Sequence, residues 1–442
     1  MKRKVLSVLL AAAMTASMMA GCGTGKGSGS GDDSQAVNPT AGEDEHTLSV
    51  SAWDANFNIP ALKAAEEDYK ANVDKDFKLV INEVSQSSDI EKSVKLAGSA
   101  QDYSTLTDIV LFQDHYFQKY VSDYPDAWQD VDDAEVNWDD FGAEKLSYST
   151  IDGKHYGLPV DNGTVIAAYR TDLLEQSGHN IDELKGCTWD KFIEIGKDVY
   201  AQTGKYLLSM DGSGNDLPYM MLQAEGESQF KDGKPYITDN AKLVKIIEIL
   251  DTMQKENVLY LANDWNGYTN DSIQKDMVAG VINGNWIIPT IEQVADNSGK
   301  WGITTMPTIE GGDGYASNGG SSLYITANCK NTDLAKKFLA YTFGGSSATY
   351  DEALAKGGVI TTCISAGKSD KYNEGIAYFN NQPIYADIVE MGSHVEIVEQ
   401  SDYHYTCREQ VAAAITKIHD GTDVNDALKE AEDQLKFAMG IN

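Results

Sequence analysis

Residues 109–112 read Ile109-Val110-Leu111-Phe112, four apolar residues with no alternation. A strand wet on one face alternates apolar and polar side chains. A short unbroken apolar run is expected of a strand covered on both faces, as in a parallel sheet between helices. Working outward toward the N-terminus, Leu48-Ser49-Val50-Ser51-Ala52 alternates and predicts a first strand, and residues 77–84 predict a second. Between them Asn58 is placed to cap a helix with Pro60 near its start and Leu62, Ala65 and Tyr69 on one face. Residues 90–96 begin a second helix. Strand, helix, strand, helix, strand predicts an α/β lobe with a largely parallel sheet.

The second half follows the same logic without a sequence repeat. Thr188 is placed to cap a helix over 189–203, with Phe192, Ile195 and Val199 facing inward and Gly204 at its end. Leu243, Ile246, Ile247 and Leu250 mark another helix. Asn331 or Thr332 caps one containing Leu334, Phe338 and Leu339, closed by Gly344 and Gly345. Val424, Ala427, Leu428, Ala431 and Leu435 have helical spacing, stopped by Gly440.

The chain starts with Lys2, Arg3 and Lys4, followed by a mostly apolar, uncharged run over 5–18. That order predicts a signal peptide over 1–21; the run is too short for a spanning helix. Residues 23–45, rich in Gly, Ser, Asp and Thr, cannot form a core and predict a flexible tether. Without residues 1–21 the chain carries 32 Lys and Arg against 68 Asp and Glu, a formal charge of −36. Such a surface repels nucleic acid and anionic lipid, so neither is expected as a partner of the body. About 420 residues suit two lobes of ordinary domain size. Cys187, Cys329, Cys363 and Cys407 form no CxxC or Cys/His metal spacing. Three full pairings of the four are possible and sequence does not choose among them; free, mostly buried thiols are expected in a body this large. The only arginines are Arg3, Arg170 and Arg408, which disfavours a pocket for phosphate or a carboxylated ligand. No cofactor or metal is expected.

Two resemblances add to this reading. Met19-Ala20-Gly21-Cys22 resembles a bacterial lipobox, with Met19 where Leu is usual, and implies lipidation of Cys22. From 152 the chain reads Asp-Gly-Lys-His-Tyr-Gly-Leu-Pro, then Val-Asp-Asn-Gly-Thr-Val-Ile-Ala-Ala-Tyr-Arg-Thr-Asp-Leu-Leu-Glu to 175. This resembles the signature of extracellular solute-binding proteins of ABC importers, the maltose-binding-protein-like family 1. There a DGK-x-YG-x-P turn leads into the strand that crosses to the second lobe. Thr188-Trp189-Asp190-Lys191-Phe192 resembles that family's TWDEF helix start. Asp276-Met277-Val278-Ala279-Gly280 through Asn285-Trp286 resembles its glycine-rich turn and aromatic, and Met306-Pro307 with Gly319-Gly320-Ser321 its return strand. Asn331-Thr332-Asp333-Leu334-Ala335 followed by Phe338-Leu339 resembles the next helix. Each motif is weak alone; the five follow the family's order over nearly all of 46–442.

The resemblance implies a two-lobed periplasmic-binding-protein-like fold of type II, each lobe a mainly parallel sheet flanked by helices, with a hinge between them. The expected domains are 1–21 signal peptide, 22–45 lipidated Cys22 and tether, 46–160 plus 317–362 lobe 1, and 161–316 plus 363–442 lobe 2. It also implies a monomer on the extracellular face of the cytoplasmic membrane, anchored there through the lipid alone. Its partners would be a carbohydrate and the transmembrane subunits of an ABC permease.

Open α/β sheets bind ligands beyond the carboxyl ends of their strands. Sugars present flat C–H faces to aromatic rings and hydroxyls to Asp, Asn, Gln and Glu. Trp53 and Asp54 after the first strand are therefore candidates, as are Gln113, Asp114 and His115 after the third and Asp161 with Asn162 at the crossover. In the second lobe the candidates are Trp265, Asn266, Tyr268, Asn285 and Trp286. Asn318, Gly319 and Gly320 place small residues where backbone must approach a ligand. A lone Trp is more often core; Trp53, Trp265 and Trp286 are singled out by their loop-type polar neighbours. Trp128, Trp138, Trp189 and Trp301 are assigned to packing or surface. Asp114 is equally placed to cap the next helix.

Asp211, Asn215 and Asp216 lie in a Gly-rich loop. An EF-hand needs Glu at its twelfth position, which here is Leu222, so the loop is read as a cleft rim instead. Tyr403-His404-Tyr405 predicts a strand, which would point the tyrosines away from His404 and rules out a shared ferric site. The rival class is a secreted glycoside hydrolase, whose carboxylate pair could be imagined anywhere among 68 acids. No GxSxG, HExxH or P-loop occurs, which favours a binder over an enzyme. Within binders an oligosaccharide is favoured, and a polyamine is the competitor, since acids and aromatics also suit a cation.

Overall fold

The computed structural model describes residues 44–214 and 216–441. The expected signal peptide, Cys22 and all but the last two residues of the expected tether lie outside the described residues. Asp44 holds the first turn: its carboxylate accepts the His46 N–H and the Thr47 hydroxyl.

The backbone of the molecule is one eight-stranded mixed sheet. Thr47–Trp53 pairs in parallel with Lys78–Val84 on one side and Ile109–Gln113 on the other. The return strand Ser317–Thr326 lies antiparallel to Ile109–Gln113, its Leu323 opposite Leu111. Beside it runs the crossing strand Gly157–Arg170, fourteen residues, every one buried. The tight turn that feeds it has Asp152 and Gly153 at φ 51° and 79°, the left-handed geometry a two-residue hairpin needs. Residues 157–164 of the crossing strand pair with the return strand. Residues 165–169 pair instead with Gly280–Gly284, and 167–170 with Trp301–Thr304, all antiparallel. One strand is thus shared among three ladders, with the handover from the return strand to the other two at Thr164 and Val165.

Apolar burial divides along the same line. One core joins Leu48, Val50, Leu62, Tyr69, Leu111, Leu158, Leu323 and Phe338. A second gathers Tyr169, Trp189, Phe192, Ile195, Val199, Leu243, Ile246, Leu250, Val411, Ile415 and Leu435. A third, on Ile166, Ala168, Val281 and Trp301, reaches Leu354 and Ile360. Among the described strands the parallel pairings are those of Thr47–Trp53 and of Leu208–Asp211 with Leu259–Ala262, and single parallel bridges join Thr188 to Thr308 and Tyr206 to Val278. The antiparallel ones all involve the crossing and return strands or the short hairpins, because a chain that crosses and comes back must reverse direction.

Several local readings hold. Thr188 Oγ1 accepts from Lys191 N at the start of Trp189–Thr203, and Gly204 at φ 71° ends that helix. Asn331 caps Thr332–Tyr341. Cys187, Cys329, Cys363 and Cys407 are free and buried. Trp128, Trp189 and Trp301 are buried, and Trp138 stacks on His155.

Two readings are corrected. Asn58 does not cap: it is the first residue of helix Asn58–Asn72, buried, and the chain is turned into the helix by the Asp54 carbonyl, which accepts from Phe57 N and Ile59 N. Tyr403-His404-Tyr405 is not a strand: His404 begins helix His404–His419. Three alternating residues are too few to set a period, whereas Cys407, Val411, Ala414, Ile415 and Ile418 recur every three or four residues and bury one helical face.

Candidate functional site

Three rings gather beyond the strand ends of the second body, the part built on Gly280–Gly284 and the second and third cores; the first body is the part built on Thr47–Trp53 and the first core. Trp265 lies 5.3 Å from Tyr268 and 5.7 Å from Trp286, tilted 47° and 43° to them. Trp265 is 42% exposed, Trp286 is half-buried and Tyr268 is buried. Trp286 donates its indole N–H to the Asn318 carbonyl at 2.6 Å. Asn318 donates its amide to Asn283 Oδ1 and accepts from Arg408 Nη1. Arg408 also pairs with Asp216. These bonds bring together Trp265, Tyr268, Trp286, Asn318 and the 211–216 loop, which were separate candidates in the sequence.

Gly319 and Gly320 complete that wall with φ near +99° and +97°. The return strand slips its register between Ser317 and Gly320. A Cβ on Gly320 would lie 2.5 Å from Asp114 Oδ2, and one on Gly319 3.2 Å from Trp286 Nε1. The two glycines therefore let the strand bulge between a buried carboxylate and an indole.

The candidates of the first body are placed differently. Asp114 is fully buried, ion-paired with Lys145 and hydrogen-bonded by Ser322 Oγ. Lys145 also donates to the Ser321 carbonyl. Burial raises the carboxyls of Asp114 and Asp161, and Lys145 pulls both back. Asp114 is neither a cap nor open to a ligand; it anchors the return strand. Asp54, at φ 66°, uses its carboxylate on Asn56 N and its carbonyl on the helix that follows. Trp53 packs half-buried against the first body's cores. Gln113 is half-buried opposite Ser321. Among the described residues no hydrogen bond or ring contact joins Trp53, Asp54 or Gln113 to the Trp265 group. Asn162 is buried at a pocket of about 10 Å³ shared with Thr362, the size of one water, and its Oδ1 finds no protein partner.

His115 reaches across to the second body. Its ring stacks on His404, lies against Tyr148 and Tyr405, and exchanges a hydrogen bond with the Tyr219 hydroxyl at 3.2 Å. Tyr116 stacks on Tyr405 at 4.4 Å. Glu144 accepts from Tyr148 and Ser317 hydroxyls and from Gln223 Nε2. Burial pushes the His115 imidazole well below its ordinary value and His404 down to about 3, and lowers Arg408 to about 10. Tyr148, Tyr219, Gln223, His404, Tyr405 and Arg408 were not singled out as binding candidates from sequence. Their signal lay in the tyrosines and histidines at two helix starts, Asp216–Ala224 and His404–His419, and became legible only once those helices faced Asp114–Asp123.

Among the described residues no group of three or more His, Cys, Asp or Glu is placed to hold a metal ion, and no helix is long and apolar enough to cross a membrane. What this geometry offers is ring faces, amides and hydroxyls at the junction of two bodies joined by a shared strand. It defines a two-lobed binding fold.

Residues 63–380 match the bacterial extracellular solute-binding protein family, and the chain belongs to that family. It is 30% identical over 441 residues to a lactose-binding protein of Rhizobium radiobacter, covering 98% of this chain and 97% of the relative. An arabinooligosaccharide-binding protein of Bacillus subtilis is 27% identical over 219 residues, 48% of this chain and 49% of the relative. Among solved structures, an ABC-transporter-associated binding protein from B. animalis subsp. lactis, in complex with beta-1,6-galactobiose, superposes with a TM-score of 0.68 at 20% identity. That match covers 90% of this chain and 98% of the other, and shows the shared fold.

Proposed function

We propose that this chain is an extracellular receptor that binds a short oligosaccharide between its lobes and delivers it to the transmembrane subunits of an ABC permease. The observation that carries the reading is Trp265. An indole left 42% exposed beside two other rings, above a frame of amides, is a platform for the flat face of a sugar. Trp265 and Trp286 would stack on the ligand, with Tyr268, Asn318, Gly319 and Gly320 behind them. The names of the lactose-binding and arabinooligosaccharide-binding relatives support a sugar. Both described arginines are engaged by carboxylates, Arg170 by Asp172 and Asp276 and Arg408 by Asp216, which argues against an anionic ligand.

Lobe 1 is read as 46–160 plus 317–362 and lobe 2 as 161–316 plus 363–442. The handover at Thr164 and Val165 and the separation of the first two cores support a division a few residues from the 160/161 limit, while Leu354 and Ile360, from the end of the 317–362 segment, pack with the third core. The body acts as a monomer, does no chemistry on its ligand, and is held at the membrane by lipid on Cys22. Replacing Cys22 with Ala should release it into the soluble fraction; a variant that stays with the membrane overturns the anchor.

The test is thermal shift and calorimetry of residues 46–442 with lactose, arabinotriose, maltotriose and spermidine, followed by product analysis. A ligand bound only by the native state raises the melting temperature by mass action. A rise with a sugar recovered intact supports the reading. A rise with spermidine alone overturns the ligand, and loss of the sugar overturns the absence of catalysis.

A further inference from the structure

We infer that Asn283 is the positioning residue of the aromatic wall. The inference rests on the carbohydrate reading of that wall, and goes beyond it by naming what fixes its geometry. Asn283 lies on Gly280–Gly284 and is 2% exposed. Its Nδ2 donates to the Tyr268 hydroxyl at 3.2 Å, and its Oδ1 accepts from Asn318 Nδ2 at 2.8 Å. Asn318 in turn holds Trp286 through its backbone carbonyl. Both rings that flank Trp265 are therefore tied to one buried amide, one directly and one through Asn318.

The chemistry calls for a short, planar polar group at this position. The Asn318 amide must be accepted, while the Tyr268 hydroxyl accepts from the Asn283 NH2 and could instead donate to a carboxylate, so Asn or Asp meets both partners and an apolar side chain meets neither. The other end of the Asn318 amide, its Oδ1, accepts from Arg408, so Asn283 is the acceptor for its NH2. Buried polar groups without alternative partners keep a single arrangement, so the angle between Trp286 and Tyr268 is inherited from Asn283. Trp265 leans on both rings, and the exposed face it offers follows from theirs. The remaining contact of Asn283, from Gly284 N to its Oδ1, is local and would serve the backbone alone.

Two indoles this close couple in the far ultraviolet, and Trp265→Phe defines the signal of the pair in the unliganded chain. The experiment reads that circular-dichroism couplet, the melting temperature and lactose affinity by calorimetry. Asn283→Leu, of similar size but without polar atoms, should lose at least half of the couplet and weaken lactose binding about tenfold. Asn283→Asp accepts from Asn318 and lets the Tyr268 hydroxyl donate, and should keep both readouts within about threefold. A role in stability alone would lower the melting temperature of Asn283→Leu and leave couplet and affinity as in the parent, which overturns the inference. An Asp variant as defective as the Leu variant overturns it too. Should Asn283→Leu fail to fold, Tyr268→Phe, which removes one hydroxyl, takes its place: an altered couplet supports the inference and an unchanged one overturns it. If the parent does not bind lactose, lactose is removed from the proposed function, while the couplet still decides the role of Asn283.

Discussion

The imidazole of His115 lies on that of His404, centroids 4.3 Å apart and 24° from parallel, and joins helix Asp114–Asp123 to helix His404–His419. Both rings are buried. The groups facing them are Tyr148, with Glu144 bonded behind it, Tyr219, Tyr405, Arg408 and Lys145. His404 Nε2 sits 3.4 Å from Arg408 Nη1, a donor without acceptor capacity, so the contact requires a neutral imidazole.

Acid should therefore part the two bodies. The histidine pKa values are held down in the packed state, so the contact is fully present above the ordinary histidine value of about 6.5. It is lost as the pH falls from there toward about 3, the value to which burial holds His404. Protonation of His404 weakens closure by about tenfold per pH unit within that window, and His115, also held down by burial, acts in the same direction. Small-angle scattering of the unliganded protein should show a larger radius of gyration at low pH than at neutral pH. His404→Phe should flatten the change; a radius independent of pH in the parent chain would rule the mechanism out.

Trp286→Ala should weaken sugar binding by more than about tenfold and leave the melting transition cooperative. The ring is half-buried and its polar atom is spent on Asn318, so truncation removes a face rather than a keystone of the core. Calorimetry with lactose reads the first quantity, and an unchanged dissociation constant would return Trp286 to a packing role.

Gly320→Ala should destabilise the fold by about 1–3 kcal/mol, because the new methyl meets Asp114 in a left-handed backbone. Gly153→Ala is the control: it has φ 79° but nothing within 4 Å, and should lose only about 1 kcal/mol. Urea unfolding of the two variants separates steric conflict from backbone strain. Equal losses would show that the approach of Asp114 is unimportant.

Lys145→Met should be among the most damaging single changes outside the apolar cores. It strands Asp114, and removes the cation nearest Asp161, in a region where both carboxyls are already raised by burial. Breaking a buried pair from one side destabilises by about 3–5 kcal/mol. The double variant Lys145→Met with Asp114→Asn should recover part of that loss, since Asp161 alone is then left without the cation. A double variant no more stable than the single one would contradict this account.

How far these features could be read beforehand depends on where their partners lie. The Thr188 cap is local: its acceptor and donor are three residues apart, and both the start and the glycine stop of that helix are visible in sequence. The all-apolar run at Ile109–Gln113 likewise carries its own explanation. Asp114 does not. Its role is set by Lys145, 31 residues on, and by Ser322, 208 residues on, and nothing adjacent distinguishes a ligand contact from a buried anchor. The two tyrosines flanking His404 imitate a strand's alternation, while the apolar period that makes the segment helical begins only at Cys407. The ring group was legible as separate aromatics beside polar residues; that Trp265, Tyr268 and Trp286 meet is a property of the turn before Gly280–Gly284 and of the bulge at Gly319.

The crossing strand, buried along its whole length and paired on one half with each body, leaves the polypeptide without a seam. A fragment ending near residue 164 would keep the return strand's partner and lose that of Gly280–Gly284; its complement would carry an orphaned edge ready to pair with its neighbours. Neither piece is expected to be soluble by itself, and the two should refold only when mixed. Reporter groups meant to sense the closing of this protein therefore belong at the termini or on outer turns such as Gly153, where an insertion leaves the shared strand whole.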